Sequence, residues 1–297
     1  MKPIGTGDST QEGYIDVTGG KVWYRIVGAG ARGVPLLVIH GGPGAPHDYL
    51  EPLKGLADER PVIFYDQLGC GNSDRPEDTA LWTVERFVGE LEQVRSTLGL
   101  DRVHLLGQSW GSMLAVEYTL EHPQGVASLV LSAPYLSTPL WEADQRAYIA
   151  ELPPEVRRTI EAKEAAGDFA SPEYQEAMTT YYKRHLCRLE TWPECMERTF
   201  AKMGLPVYEH MFGPSEFSVR GTLKHRDLTG RLKEIRVPVL FTCGRQDEAT
   251  PATTARFQAS LPGSEMIVFE EASHMHHLEK TGPYLEALRN FLHRAER

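Results

Sequence analysis

The chain lacks most of the features that would direct it to nucleic acid, membrane or metal. Its 297 residues carry 31 Lys and Arg against 41 Asp and Glu, a formal charge of −10. No stretch is rich in Lys or Arg, so neither a nucleic acid nor an anionic membrane surface meets a cationic face. No apolar run is long enough to cross a bilayer, and residues 1–8 have no apolar core of the kind a secretory leader needs. Cysteine is scarce: Cys70, Cys187, Cys195 and Cys243 form neither C-x-x-C nor zinc-like spacing, which suits free thiols in a reducing compartment. His274, His276 and His277 cluster without the Cys or Asp/Glu framework of a zinc site. No metal and no other cofactor is expected. There is no internal repeat and no low-complexity tract. The expectation is a soluble, cytoplasmic protein with no nucleic-acid or membrane partner; its oligomeric state is not legible.

What is present is an alternation. Short apolar runs trade places with helical patterns through the first half, the rhythm of an α/β sheet. Strands are expected at 14–17 and 22–27, as a hairpin around Gly19-Gly20, and at 36–39, 62–65, 103–106 and 129–131. The continuous runs Leu36-Leu37-Val38-Ile39 and Val62-Ile63-Phe64-Tyr65 suit strands covered on both faces. Thr83 can cap a helix whose Val84, Phe87, Val88, Leu91, Val94 and Leu98 recur at helical spacing. A second helix is expected through Met113, Leu114, Val116 and Leu120, stopping before Pro123. From about Tyr135 to Lys224 the chain is helical in flavour, rich in Tyr, Trp, Glu and Arg, without a convincing buried strand. Residues 135–224 therefore read as a helical cap inserted into a core domain made of 1–134 and 225–297. The α/β rhythm resumes at 237–241 and 266–269. It closes with a helix whose Tyr284, Leu285, Leu288, Phe291 and Leu292 share one face. The expected fold is a mostly parallel central sheet flanked by helices, with an inserted helical cap.

Ser109 lies in Gly107-Gln108-Ser109-Trp110-Gly111, a G-x-S-x-G. At ordinary glycine frequency this pattern arises by chance in roughly one chain of this size in ten, so context must decide. Here the strand at 103–106 runs into Gly107 and a helix follows Ser109, the strand–turn–helix that presents a nucleophilic serine. Asp247, in Gly244-Arg245-Gln246-Asp247, and His274, in Ala272-Ser273-His274-Met275, each follow an expected strand. Open α/β sheets gather their sites at that edge. A serine hydroxyl needs an imidazole to take its proton, and the imidazole needs a carboxylate to fix its tautomer. Ser, Asp, His is the chain order of α/β-hydrolase triads. Glu248 competes with Asp247 for the acid, and His276 and His277 with His274 for the base; position favours Asp247 and His274. A tetrahedral oxyanion needs two N–H donors. One is expected from Trp110, the other from His40-Gly41-Gly42-Pro43-Gly44, where Gly42 is favoured over Gly41.

That loop, together with Asp66-Gln67-Leu68-Gly69-Cys70-Gly71-Asn72-Ser73 and Gly107-Gln108-Ser109-Trp110-Gly111-Ser112, resembles the signature of the proline iminopeptidase family of α/β hydrolases. The likeness spans nearly the whole chain. Gly213-Pro214-Ser215-Glu216-Phe217 and Asp247-Glu248-Ala249-Thr250-Pro251 resemble the branch that includes the archaeal tricorn-interacting aminopeptidase and L-amino-acid amidases. The resemblance implies an α/β-hydrolase fold and a serine aminopeptidase that releases N-terminal residues, proline favoured, from short peptides through an acyl-enzyme. It also implies that Glu216 and Glu248 grip the substrate's α-ammonium, since a buried cation is costly unless carboxylates pair with it. The implied partners are short peptides or amino-acid amides with a free N-terminus. An L-amino-acid amidase stays open as an alternative. So does a catalytically weak ligand-binding homologue, because one fold can serve several functions. Cys70, in a Gly-flanked turn, reads as inert, and Trp192, Tyr181 and Tyr182 read as packing or pocket lining within the cap.

Overall fold

The apolar runs pair into one eight-stranded sheet. In chain order its strands are β1 (Gln11–Val17), β2 (Gly20–Val27), β3 (Leu36–Ile39), β4 (Val62–Tyr65), β5 (Val103–Gln108), β6 (Val126–Ser132), β7 (Val239–Gly244) and β8 (Glu265–Phe269). Their spatial order is β1-β2-β4-β3-β5-β6-β7-β8. β1, β2 and β4 pair antiparallel, and every pairing from β4 through β8 is parallel. The computed structural model describes residues 10–297; residues 1–8, read above for a leader, lie outside them.

Ten helices among the described residues complete the chain. They are α1 (Val84–Thr97), α2 (Trp110–Glu121), α3 (Thr138–Ala150), α4 (Pro154–Ala166), α5 (Pro172–His185), α6 (Glu194–Ala201), α7 (Leu205–Met211), α8 (Pro251–Ala259), α9 (His276–Glu279) and α10 (Thr281–Ala295). Alternate strand residues point to opposite faces, and both faces are covered. Leu37, Ile39, Leu105 and Leu129 enter one core with Phe87 and Leu91 of α1 and Met113 and Leu114 of α2. Leu36, Val38, Leu106 and Val130 enter a second with Tyr284, Leu288 and Phe291 of α10. This two-sided burial is why the central runs are apolar at every position. Thr83 caps α1, its hydroxyl accepting from the Arg86 N–H at 3.2 Å.

Several bounds differ from the expected ones: β1 begins at Gln11 rather than 14, and β7 spans Val239–Gly244 rather than 237–241. β6 begins at Val126, earlier than the expected 129, because Val126 pairs with Val103 across a register shift. A 3₁₀ segment also spans His47–Leu56, where Pro52 interrupts any helical periodicity. It is tied to α6 and the residue that follows it by Asp48, which accepts from Arg198 and Lys202. Between residues 135 and 224 lie α3 to α7, with only isolated bridges of strand type at Ser137 and Ser215. Of these, α3, α4 and α5 share a small core that includes Ile149, Ile160, Met178, Tyr181 and Phe217, whereas Met196 of α6 and Val207 and Met211 of α7 enter the two sheet cores.

Candidate active site

Ser109 joins β5 to α2 with φ 53° and ψ −122°. A non-glycine residue at positive φ stores roughly 1–3 kcal/mol of strain, so its surroundings must hold it there. Gly107 and Gly111 let them approach. A Cβ on Gly107 would stand 2.2 Å from the Gly111 carbonyl oxygen, and one on Gly111 would stand 2.1 Å from that of Ile39. β3, β5 and α2 thus meet almost backbone to backbone. The Ser109 N–H donates to Ser132 O at 3.0 Å, and its carbonyl accepts from the Ser112 N–H at 2.8 Å. Ser109 borders a cavity of about 340 Å³ whose walls also include Gly42, Glu216, Glu248 and His274.

Asp247 and His274 follow β7 and β8, on the same carboxyl edge of the parallel strands as Ser109. His274 Nδ1 lies 2.7 Å from Asp247 Oδ1, which also accepts from the Ala249 N–H at 2.8 Å. Asp247 Oδ2 accepts from the Gly244 N–H at 3.1 Å and faces His276 Nδ1 at 3.6 Å. Burial pushes the Asp247 carboxyl up, but the neighbouring His274 and His276 outweigh it and hold its pKa at about 2. Burial likewise disfavours the His274 imidazolium; Asp247, then Glu248 and Glu216, reverse this and raise its pKa to about 9. The other candidate bases face elsewhere. His276 Nε2 meets Ser132 Oγ and Thr242 Oγ1, each at 3.0 Å, behind Asp247. His277 meets Tyr49 O at 3.1 Å, and burial holds its pKa down at about 3. Glu248 Oε2 comes only within 4.0 Å of His274 Nδ1, so Asp247 is its hydrogen-bonded acid.

The glycine loop after β3 is locked by residues that the sequence reading did not weigh. Gly41 N–H donates to the Tyr49 hydroxyl at 2.7 Å, which donates to Gln108 Oε1 at 2.6 Å. That engagement occupies the Gly41 N–H, while Gly42 lines the cavity wall. Gly42 adopts φ 108°, and a Cβ there would stand 2.5 Å from Gly44 N, so only glycine suits. Burial lowers the His40 pKa to about 4, so the ring is neutral. Its Nε2 accepts from the Gln67 N–H at 2.9 Å, which leaves Nδ1–H to donate to Gly41 O at 3.0 Å. Gln67 Oε1 in turn accepts from the Trp110 indole at 3.0 Å. One glutamine therefore clamps all three motif segments together. The Trp110 N–H, at the first position of α2, has no acceptor within its own helix.

Glu216 and Glu248 reach the cavity from opposite parts of the chain. Glu248 is 1% exposed, and its Oε1 is buried without a hydrogen-bond partner among the described residues. Burial raises its pKa well above the carboxylate range; His274 pulls it down, while Glu216 and Asp247 push it up. Glu216 is half-buried and accepts from the Tyr208 hydroxyl at 2.6 Å. Burial raises its pKa too, against Tyr208 and His274. A buried carboxylate oxygen without a donor, facing a cavity, is a place for a cation. Tyr208 and Gln145 were not anticipated. Gln145 donates to Glu248 O at 3.0 Å and accepts from Tyr181. Their only signal was an aromatic, helical segment. Tyr182 lines the cavity, whereas Trp192 packs beneath Phe200 at 5.6 Å. Cys70 is buried with its thiol pushed well up by desolvation, and all four cysteines are free.

Comparison with known proteins adds a family. A family model described as the alpha/beta hydrolase fold matches residues 34–281. A proline iminopeptidase of Heyndrickxia coagulans is 48% identical over 95% of this chain and 98% of the relative. One from Saccharolobus solfataricus is 39% identical over 96% of this chain and 93% of the relative. The crystal structure of a proline iminopeptidase from Mycobacterium smegmatis superposes with a TM-score of 0.90 at 37% identity, covering 96% of this chain and 98% of that one.

Proposed function

The chain belongs to the α/β-hydrolase family and, within it, to the proline iminopeptidases; from that premise we propose that it is a serine aminopeptidase releasing N-terminal residues, proline favoured, from short peptides. The observation that carries the mechanism is the buried, unpartnered Glu248 carboxylate in the same cavity as Ser109 and His274. In this reading the described part of residues 1–134, from residue 10 onward, and residues 225–297 form the catalytic core, and 135–224 the cap that closes the cavity. Glu216 and Glu248 hold the substrate's ammonium, which sets the first carbonyl against Ser109. Ser109 Oγ attacks that carbonyl as His274 takes its proton, and Asp247 holds the ring and balances the imidazolium. The N–H groups of Trp110 and Gly42 receive the developing oxyanion. His274 then protonates the departing amine, and a water it activates hydrolyses the acyl-enzyme. The free thiols and net negative charge support work in the cytoplasm without a nucleic-acid partner. Hydrolysis of a panel of aminoacyl-naphthylamides tests the substrate: the prolyl compound should be cleaved fastest. Cleavage of N-blocked esters with none of the free-amine panel would contradict it.

The carboxylates also set the pH dependence. His274 must be neutral to accept the Ser109 proton, and it is protonated below its pKa of about 9. In the free enzyme kcat/KM should therefore rise with pH toward that value. It should fall again as the substrate amine, with an ordinary pKa of about 8, loses the charge that Glu216 and Glu248 need. Once the ammonium is bound it compensates the two glutamates, so the His274 pKa drops in the complex. The acid limb of kcat should accordingly lie at lower pH than the acid limb of kcat/KM. Coincident limbs would mean that Glu216 and Glu248 do not act on His274.

A further inference from the structure

Exposure divides the lining of the cavity into a floor and a mouth. Gln108, Tyr208, Glu248 and His274 are buried, whereas Gln175, Phe200, Leu205 and Glu209 are exposed. Phe200 and Leu205 are 45% and 55% exposed; with Tyr14 they are the exposed large hydrophobics among the described residues. Tyr14 lies on the outer strand β1, so the other two flank one opening. A lone exposed apolar residue is ordinary, but a pair rimming a cavity with a nucleophile on its floor is a binding surface. The rim is also held in place. Trp192 stacks on Phe200 at 5.6 Å and 20°, and its indole donates to Cys187 O at 3.2 Å. Half-buried Met203 carries the apolar wall inward.

Charge gives a second, independent constraint. The residues lining the cavity include neither Lys nor Arg; the carboxylates among them are Glu209 at the mouth, Glu216 and Glu248. With the ammonium on Glu216 and Glu248 and the carbonyl at Ser109, the remainder of the substrate has the mouth as its way out. In a dipeptide the C-terminal carboxylate follows the scissile bond by one residue, about 3.6 Å of chain. It would sit inside this cation-free opening, near Glu209. In an amide no such charge exists, and in a longer peptide it lies beyond the rim.

We propose that Phe200, Leu205 and Glu209 form a leaving-group subsite that selects uncharged, apolar groups. Its substrates are amides and arylamides, or peptides whose second residue is large and apolar and whose carboxylate lies outside the mouth. This rests on the aminopeptidase reading above. The test is kcat/KM of the full-length chain for prolyl-phenylalanine amide, prolyl-glycine amide and prolyl-phenylalanine as the free acid. The phenylalanine amide should exceed each of the others by ~10-fold or more, the scale of burying part of an aromatic side chain or of exposing a carboxylate to a like charge. Phe200→Ala and Leu205→Ala should lower the rate on the phenylalanine amide toward that on the glycine amide. Glu209→Lys should raise the free acid relative to its amide, a gain that a misfolded variant cannot produce. Equal rates on acid and amide in the native enzyme, or unchanged phenylalanine preference in Phe200→Ala and Leu205→Ala, would overturn the subsite. Absence of cleavage of all three would overturn the aminopeptidase reading itself, and this subsite with it.

Discussion

Ser109→Ala should lower kcat by about 10⁶-fold, while the thermal unfolding midpoint should stay near that of the native chain. The loss should be large because Ser109 is the hydroxyl proposed to form the acyl bond. The fold survives because alanine meets the same backbone demand at φ 53° that serine does. Residual turnover would be what the proposed Trp110 and Gly42 donors and substrate binding supply alone. His274→Ala should be nearly as damaging, since nucleophile and base act as a unit. His276→Ala and His277→Ala should spare the chemistry by comparison and reduce stability instead. Both rings are buried, and His276 links Ser132, Thr242 and Asp247 from behind. A chelator should have no effect. Steady-state kinetics with a prolyl arylamide and a parallel melt check all of this. Near-normal turnover in Ser109→Ala, or a tolerant His274 beside an indispensable His276, would contradict the mechanism.

The parts of this account that were legible in the sequence are those where one local signal admits one structure. Runs such as Leu36-Leu37-Val38-Ile39 have no polar position because the sheet is covered on both faces, so their strands were readable to the residue. The turn at Ser109 was readable because Gly107 and Gly111 sit where backbone contact leaves no room for a Cβ. The 3₁₀ segment at His47–Leu56 was not, since Pro52 breaks its period and its ties are to Arg198 of α6 and Lys202 just beyond it, about 150 residues away. Tyr208 and Gln145 were hidden for a related reason. Their hydrogen bonds to Glu216 and to the Glu248 carbonyl join elements distant in sequence, and neither residue stands in a motif. The Gln67 clamp lay within a motif, yet its partners His40 and Trp110 become evident only once β3, β4 and β5 are side by side.

Blocking the substrate's amino group with an acetyl should reduce kcat/KM by at least ~100-fold. The free amine brings a cation to two carboxylates that have given up water; the acetylated one brings none. Leaving a buried charge unpaired costs about 3–5 kcal/mol. Part of that is avoided if the pair takes up a proton, as the raised Glu216 and Glu248 pKa values allow, so the lower bound is set at two decades. Glu248→Gln or Glu216→Gln should weaken the free-amine substrate and narrow the gap to its acetylated counterpart. The triad does not depend on either side chain for its hydrogen bonds, so Ser109 in these variants should still react with a small phosphonylating agent. The decisive measurement is kcat/KM of the native enzyme for a prolyl arylamide and for the same compound N-acetylated. Ammonium anchoring predicts a ratio of ~100 or more in favour of the free amine; equal values would contradict it and make the protein a hydrolase indifferent to the N-terminus.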